Sequence, residues 1–533
     1  MVSLTCLFSH LGALGLVGPD EPRYVWISRA MAETGDWVTP RLYGQPWFEK
    51  PALYYWAAAI GFRLNLPAEW AARLPCAFAA LAAATAIGWL GWRHYGSSDD
   101  WLRAPWLLVP TMFCTSVAAI GFARAATPDM LFAASITLAM ASAASVLRHS
   151  RALRGDLGPS SNQRRDLAVL ALFGAFVGLG VLAKGPAAVI LAGGAIGIWA
   201  LSTKNWRAAF RLAHPLGIAA FCLVALPWYV ICARRNPDFL NVFIFQHNFE
   251  RYLTPVFQHK QPFWFFGPIT ILALLPWTVF LVGSFQEGVR LWREKSWAAS
   301  PGFFFACWAI SPIVFFSLSQ SKLPSYILPA VPALTLVACF GAISTFRRAR
   351  SNAVTICTGT AGAWVILALV FVRFICSGSM AGTQLQSAFL LVAAIVLGIA
   401  VAALLVVAGM RQDLRLAVAI CCVSVVAAVE IANIAVLPAV DPLVSARPYA
   451  ELLQNDLHPD RIFVFQLKRT WNYGLAFYLR RGLPEWSPED PNAALVLTNR
   501  EGLEKIEQAG RFHGELEQSN RGILVVPIES EPR

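Results

Sequence analysis

Outside its apolar runs, this 533-residue chain concentrates two kinds of reactive side chain: carboxylates that can take a proton from an attacking hydroxyl, and cations that can hold an anion. The densest stretch runs from Pro19 to Pro51, PDEPRYVWISRAMAETGDWVTPRLYGQPWFEKP, with Asp20, Glu21, Arg23, Arg29, Arg41 and a closing Glu49-Lys50. An acid such as Asp20 beside an apolar run suits a general base or an acceptor-orienting group. Pro19-Asp20-Glu21-Pro22 is equally good chemistry for starting a helix, and both readings stand. Glu49-Lys50 lies between aromatics and a proline, as a reactive corner or as a surface ion pair.

Three further motifs sit between apolar runs. FARAATPDML carries Arg124 and Asp129, the latter a second acid or a helix cap. Lys184 in LAKGP, and Lys322 with Tyr326 in SLSQSKLPSYILP, have the chemistry of a phosphate clamp. The stretch 233–263 holds His247, Glu250, Arg251, His259 and Lys260 among aromatics. A histidine there and a carboxylate such as Glu49 could hold a divalent metal, with plain hydrogen bonding as the competing role.

The elements that must position these residues are membrane helices. The chain is 57% hydrophobic and only 14% charged, against roughly a quarter charged in soluble domains. Its net charge of +12 falls in short basic blocks between apolar runs, with no RNA- or DNA-binding motif, so nucleic acid is not the partner. Most of the eleven cysteines lie inside apolar runs without metal-ligand spacing and read as small buried hydrophobes.

About thirteen runs approach the length of roughly 20 residues needed to cross a bilayer. They lie near 2–18, 71–92, 104–122, 128–147, 167–183, 186–201, 214–232, 264–285, 302–318, 326–345, 354–374, 386–408 and 416–437. The first resembles a signal peptide in length, but lacks a small-residue cleavage pattern and reads as a retained helix. With the N-terminus inside, most Lys and Arg collect in cytoplasmic loops. The outer face then receives 19–70, 233–263, three short turns and the tail. Cations at helix mouths on that face suit a bound phosphate, with interfacial snorkelling as the alternative. Beyond Pro438, strands are expected at 462–466, 494–498 and 523–528, with helices at 471–480 and 500–509. The expected organisation is therefore an α-helical polytopic membrane domain over 1–438 and a small outer α/β domain over 439–533.

Taken together, DEPRY, GDWVTPRL, FEKP, LAKGP, QHNFERY…HKQPFWFF and SKLPSYILP resemble the bacterial aminoarabinose transferases of lipid A. These belong to the GT-C glycosyltransferases, a class that includes the protein O-mannosyltransferases. The resemblance covers most of the first 330 residues in the same order; later helices and the tail match only in general layout. It implies about thirteen membrane helices, a small periplasmic C-terminal domain, and an inner-membrane enzyme with a periplasmic active site. The reaction implied is inverting transfer of a sugar from a polyprenyl-phosphate carrier to lipid A or a related acceptor. The resemblance gives Asp20, Asp129, Glu49 and Lys50 catalytic positions, and Arg23, Lys184, Arg251, Lys322 and Tyr326 the carrier's phosphate. It suggests Glu49 with His259, preferred over His247, as ligands of a zinc, magnesium or manganese ion, and no nucleotide cofactor. Two features depart from the pattern: no basic residues precede the first run, and Gln320 stands where a basic or small residue is expected. Transfer to Ser/Thr of secreted proteins is the competing enzymatic reading; a lipid-linked sugar flippase is the competing non-enzymatic one, disfavoured by charged motifs gathered at one face.

Overall fold

The computed structural model describes residues 1–95, 105–152, 163–250, 252, 261–348, 350–376, 384–454, 462–487, 494–511, 518–520 and 523–528. Among these, seven helices are long and apolar enough to cross a membrane: Ala68–His94, Asp129–Leu147, Arg164–Lys184, Pro215–Arg235, Pro301–Leu318, Pro324–Phe346 and Leu414–Val444. The Asp129–Leu147 span is central, with 94% of its crossing window buried, whereas Pro215–Arg235 is peripheral at 22%. Composition explains the difference. The central helix is rich in Ala and Ser, which let neighbouring backbones approach closely. Its hydroxyls stay satisfied within the helix, Ser135 donating to the Leu131 carbonyl and Thr137 to that of Ala133.

Two further spans are broken. Pro105–Cys114 bends by 63° into Val117–Ala123, and Phe263–Ala273 bends by 111° into Trp277–Arg293. Such breaks free backbone groups that lipid cannot satisfy. Here the two breaks meet: Val117 N–H donates to the Leu275 carbonyl (3.1 Å), and a side-chain bond from Trp277 Nε1 to Thr115 Oγ1 (2.9 Å) ties them further. Counting each bent pair as one span gives up to nine crossings among the described residues, with shorter apolar helices at Ala187–Thr203, Ser351–Leu367 and Ile395–Met410.

The first apolar run differs from expectation. It is helical only over Val2–Phe8. Residues 11–15 instead turn their carbonyls towards buried Arg73, which donates to Leu11 (2.7 Å), Leu14 (2.5 Å) and Gly15 (2.8 Å). A helix through these residues would spend those carbonyls on its own N–H groups.

The C-terminal segment forms a four-stranded sheet ordered β3-β4-β6-β5, from Ile462–Phe465, Ala494–Thr498, Ile523–Ile528 and Gln518–Asn520. Strands β3 and β4 are parallel, linked through the Arg469–Tyr478 helix, and the other pairs are antiparallel. Along β6 the pleat sends Ile523 and Val525 to one core and Val526 and Ile528 to the other. The strands and helices expected there from the sequence correspond to these elements.

Candidate active site

The segment after the first run is built to present two acids and a lysine. Gly18 (φ +68°) turns the chain into the Asp20–Thr34 helix, and Gly35 in the left-handed region (φ +74°) ends it. Asp36 then accepts the Val38 and Thr39 N–H groups (3.1 and 3.2 Å). A tight hairpin, Arg41–Leu42 (β1) against Gln45–Pro46 (β2), follows, its two-residue turn being Tyr43 (φ +51°) and Gly44 (φ +82°). This paired positive-φ turn matches strand twist. It delivers Glu49-Lys50 back beside the start of the Asp20–Thr34 helix.

There Arg23 is the junction. Its Nη2 pairs with Asp20 Oδ1 and lies 3.0 Å from Glu49 Oε2. The guanidinium lies over the rings of Tyr24, Trp47 and Tyr473 at 5.5–5.6 Å. Burial works against its charge, yet the neighbouring acids hold its pKa above the ordinary arginine value. Glu49 is only 8% exposed; Lys50 Nζ lies 3.3 Å from its Oε1, and the Tyr24 hydroxyl donates to that same oxygen at 3.4 Å. Burial, reinforced by the Glu49 and Asp20 charges, pushes the Tyr24 phenol well above its usual range, so it remains a donor. The side chain of Asp20 is 50% exposed, leaving it open to an incoming group.

Asp129 and Lys184 form a second ion pair, with side chains 14% and 15% exposed. Lys184 ends its helix just before Gly185 (φ +90°), which points the ammonium back across the bundle to the N-terminus of the Asp129 helix. Its Nζ is 4.7 Å from the centre of the Tyr326 ring. The two clusters share a cavity of about 350 Å³ whose polar lining is Glu49, Lys50, Lys184, His247, Ser319 and Tyr326. Ile190, Phe243, Phe315 and Phe316 line the rest. Two lysines at the head of an apolar chamber suit an amphipathic phosphate ester, the head held by charge and the chain by burial.

The structure distributes the remaining expected residues differently. Lys322 is buried and donates to the Ser319 carbonyl (2.6 Å), so its ammonium braces the turn that lines the cavity. Arg23 is engaged by two carboxylates and three rings. Arg124 donates to Asn433 Oδ1 and the His10 carbonyl, holding helices together. His247 is on the cavity wall. Arg251 and His259 lie outside the described residues. Sequence reasoning paired Glu21 with Asp20 and gave it no separate role; it is 6% exposed and accepts from Val17 N (2.9 Å), Ala126 N (2.7 Å) and Arg73 Nη2 (3.1 Å). The signal was a buried-type partner, Arg73, inside an apolar run. The Asp20 carboxylate makes no cap bond to the helix it opens, so pairing with Arg23 rather than capping is its local role.

With this geometry in place, four similarities bear on the chain. The family model for dolichyl-phosphate-mannose-protein mannosyltransferase matches residues 11–243. The undecaprenyl phosphate-alpha-4-amino-4-deoxy-L-arabinose arabinosyl transferase of Edwardsiella ictaluri is 31% identical over 320 residues, covering 60% of this chain and 54% of that protein. Its counterpart in Erwinia tasmaniensis is 31% identical over 322 residues, with the same coverage. The chain thus spans about half the length of the curated relatives it matches. The crystal structure of ArnT from Cupriavidus metallidurans bound to undecaprenyl phosphate superposes with a TM-score of 0.77 at 23% identity, covering 99% of this chain and 96% of that one. That chain and this one share a fold.

Proposed function

We infer that this chain is a GT-C glycosyltransferase, moving a sugar from a polyprenyl-phosphate carrier to lipid A or a related glycolipid at the periplasmic face of the inner membrane. The observation that carries this is the single cavity joining Lys50, Lys184 and Tyr326 to a wall of Phe243, Phe315 and Phe316. Its contents match a phosphate head followed by a prenyl chain. The Edwardsiella and Erwinia relatives carry an undecaprenyl phosphate-linked aminoarabinose in their names, which supports the same donor class. We read all thirteen apolar runs as membrane segments, the shorter and bent helices included.

In this reading the bond from the anomeric carbon to the carrier phosphate breaks as the acceptor oxygen attacks from the opposite side, inverting the centre. Charge develops on the departing phosphate. Lys50 and Lys184 meet it in a partly buried chamber, where a unit-charge pair about 4 Å apart at an effective dielectric of about 20 is worth roughly 4 kcal/mol. Asp129 keeps Lys184 aimed; Glu49 does the same for Lys50. Both acids are closed in by their cations, whereas Asp20 is half exposed. Asp20 is therefore the acid an acceptor can reach, as base for a hydroxyl or as an orienting group for an acceptor already anionic.

A metal held by Glu49 does not fit these contacts. Arg23, Lys50 and Tyr24 already take its two oxygens, and among the described residues no group of three His, Cys, Asp or Glu side chains converges.

The experiment is transfer by the purified protein in nanodiscs, with mass spectrometry of lipid A from cells with and without the gene. A sugar-sized mass lost from lipid A on deletion is the expected result. Unchanged lipid A with a mass lost from secreted proteins would replace the acceptor by Ser/Thr, the reading that the mannosyltransferase family match favours. Lys50→Ala and Lys184→Ala should each lower transfer by about 10²-fold or more, in line with removing a preorganised charge-stabilising group.

A further inference from the structure

A second cavity, of about 390 Å³, lies where the first outer segment meets the C-terminal sheet region. Its walls include Trp26, Asp36, Arg41, Tyr43, Arg480 and Arg481. The cations outnumber the acid. Asp36 is shared between Arg41 (3.7 Å) and Arg235 (3.4 Å), and Arg480 and Arg481 come in addition from the turn after the Arg469–Tyr478 helix. Arg480 is exposed and held at φ +57°, a left-handed conformation that aims the turn back over the first segment. An adjoining cavity of about 560 Å³ shares Arg480 and adds Arg29 and Gln454. Arg29 is buried against Trp26 and Phe477, with Glu33 3.9 Å away. Burial lowers its pKa to about 10, and the like charge of Arg480 adds to that lowering.

The cavity also has an aromatic floor that leads to the active site. The Trp26 and Tyr43 rings meet edge to face with centroids 4.7 Å apart, and Tyr43 stacks on Tyr473 at 6.4 Å. The Tyr473 ring in turn lies 5.6 Å from the Arg23 guanidinium, which pairs with Asp20. Aromatic faces beside forked guanidinium donors recognise a sugar ring carrying a phosphate: the rings take its apolar face and the arginines its oxygens. The volume falls in the range of about 300–1,000 Å³ typical of ligand pockets. Arg23 links the two cavities by contact, through Tyr473 to Tyr43 on one side and through Glu49 to the carrier cavity on the other.

We propose that this groove between the Asp20–Thr34 helix and the Arg480-Arg481 turn binds a phosphorylated saccharide, the outer part of the acceptor. The acceptor role rests on the transferase reading; the binding itself does not. The groove makes the C-terminal region a substrate-reading element that completes the site.

The test uses the full chain in phosphatidylcholine nanodiscs and isothermal titration with glucose 1-phosphate, glucose and inorganic phosphate. Saturable binding of glucose 1-phosphate is expected, weakened at least tenfold by Arg480→Ala/Arg481→Ala and restored only in part by the double Lys variant, which keeps the charge without the fork. Glucose and inorganic phosphate should each bind at least tenfold more weakly. No saturable binding by the wild type, or an unchanged affinity in a double Ala variant of unchanged melting temperature, would overturn the proposal. So would equal affinity for inorganic phosphate, which would leave the aromatic floor without a role. Loss of binding in Lys184→Ala but not in the double Ala variant would assign the ligand to the carrier cavity and also overturn it. In transfer assays the double Ala variant should raise KM for a phosphorylated acceptor about tenfold while kcat stays within about twofold. Failure of all transfer with the arginine-dependent binding intact would remove the enzyme reading and leave the groove.

Discussion

At the start of the Asp20–Thr34 helix, one carboxylate is half exposed while the next is closed in by Val17, Arg73 and Ala126. The two acids are adjacent and similar, so their substitutions should diverge. Asp20→Asn removes a group facing solvent and should abolish transfer while the melting temperature in detergent changes little. Glu21→Gln leaves the Arg73 guanidinium without its counter-charge in a buried setting, which costs about 3–5 kcal/mol when one partner of a buried pair is lost. Its expected signature is a large drop in thermal stability measured by differential scanning fluorimetry. A stable Glu21→Gln protein with lost transfer would reverse the two roles. The phenols make a second residue-scale prediction. Burial first, then nearby acids, push Tyr24 and Tyr54 well above the usual tyrosine pKa, and burial with the neighbouring Tyr473 phenol does the same for Tyr43. The folded state then holds these protons more tightly than the unfolded state does. Their contribution to stability is complete below about pH 10 and falls as pH rises beyond it. Absorbance titration at 295 nm should show phenolate appearing together with unfolding for these groups; smooth titration near pH 10 in the folded protein would contradict their burial.

Among elements, the hairpin Arg41–Pro46 and the helix before it decide where Glu49-Lys50 arrives. Gly35 ends that helix at φ +74°, a conformation that costs other residues about 1–2 kcal/mol. Gly35→Ala should lower stability by about that amount, and Gly35→Asn by less, measured as a shift in the thermal midpoint. Equal midpoints for Gly35→Ala and the wild type would show that the turn relaxes without strain. The bent spans obey a different constraint, since their freed backbone groups must be met inside the bundle. The bond from Val117 N–H to the Leu275 carbonyl meets that need, backbone to backbone between the two breaks.

For the molecule as a whole, the contact between the C-terminal region and residues 12–69 is polar and shared. Arg447 donates to Asp441 (2.7 Å) and to the Gly12 carbonyl (2.9 Å), and lies 3.4 Å from Glu69. Tyr478 accepts from Leu16 N and donates to Glu69, both at 2.8 Å. Arg447→Ala leaves Asp441, only 5% exposed, and Glu69 without their shared cation. It should cost about 3–5 kcal/mol and open the junction to limited proteolysis, with Arg447→Lys restoring part of the protection. Resistance equal to the wild type would mean that apolar packing alone holds the region in place.

The sequence by itself determined the membrane class, the order of the charged motifs, and the strands and helices of the tail. Each is written locally: membrane runs by length, strands by short apolar runs rich in Val and Ile, motifs by neighbours along the chain. Tertiary structure alone decided that Lys50, Lys184 and Tyr326 face one cavity, that Glu21 and not Asp20 is sealed inside, and that His247 reaches the cavity wall. It also withdrew Lys322 onto its own turn and shortened the first run to Val2–Phe8. These outcomes depend on which distant group offers a charge or a carbonyl at bonding distance. Arg73 collects carbonyls from Leu11, Leu14 and Gly15, and Arg23 gathers Asp20, Glu49 and Tyr473, through packing that no local pattern specifies.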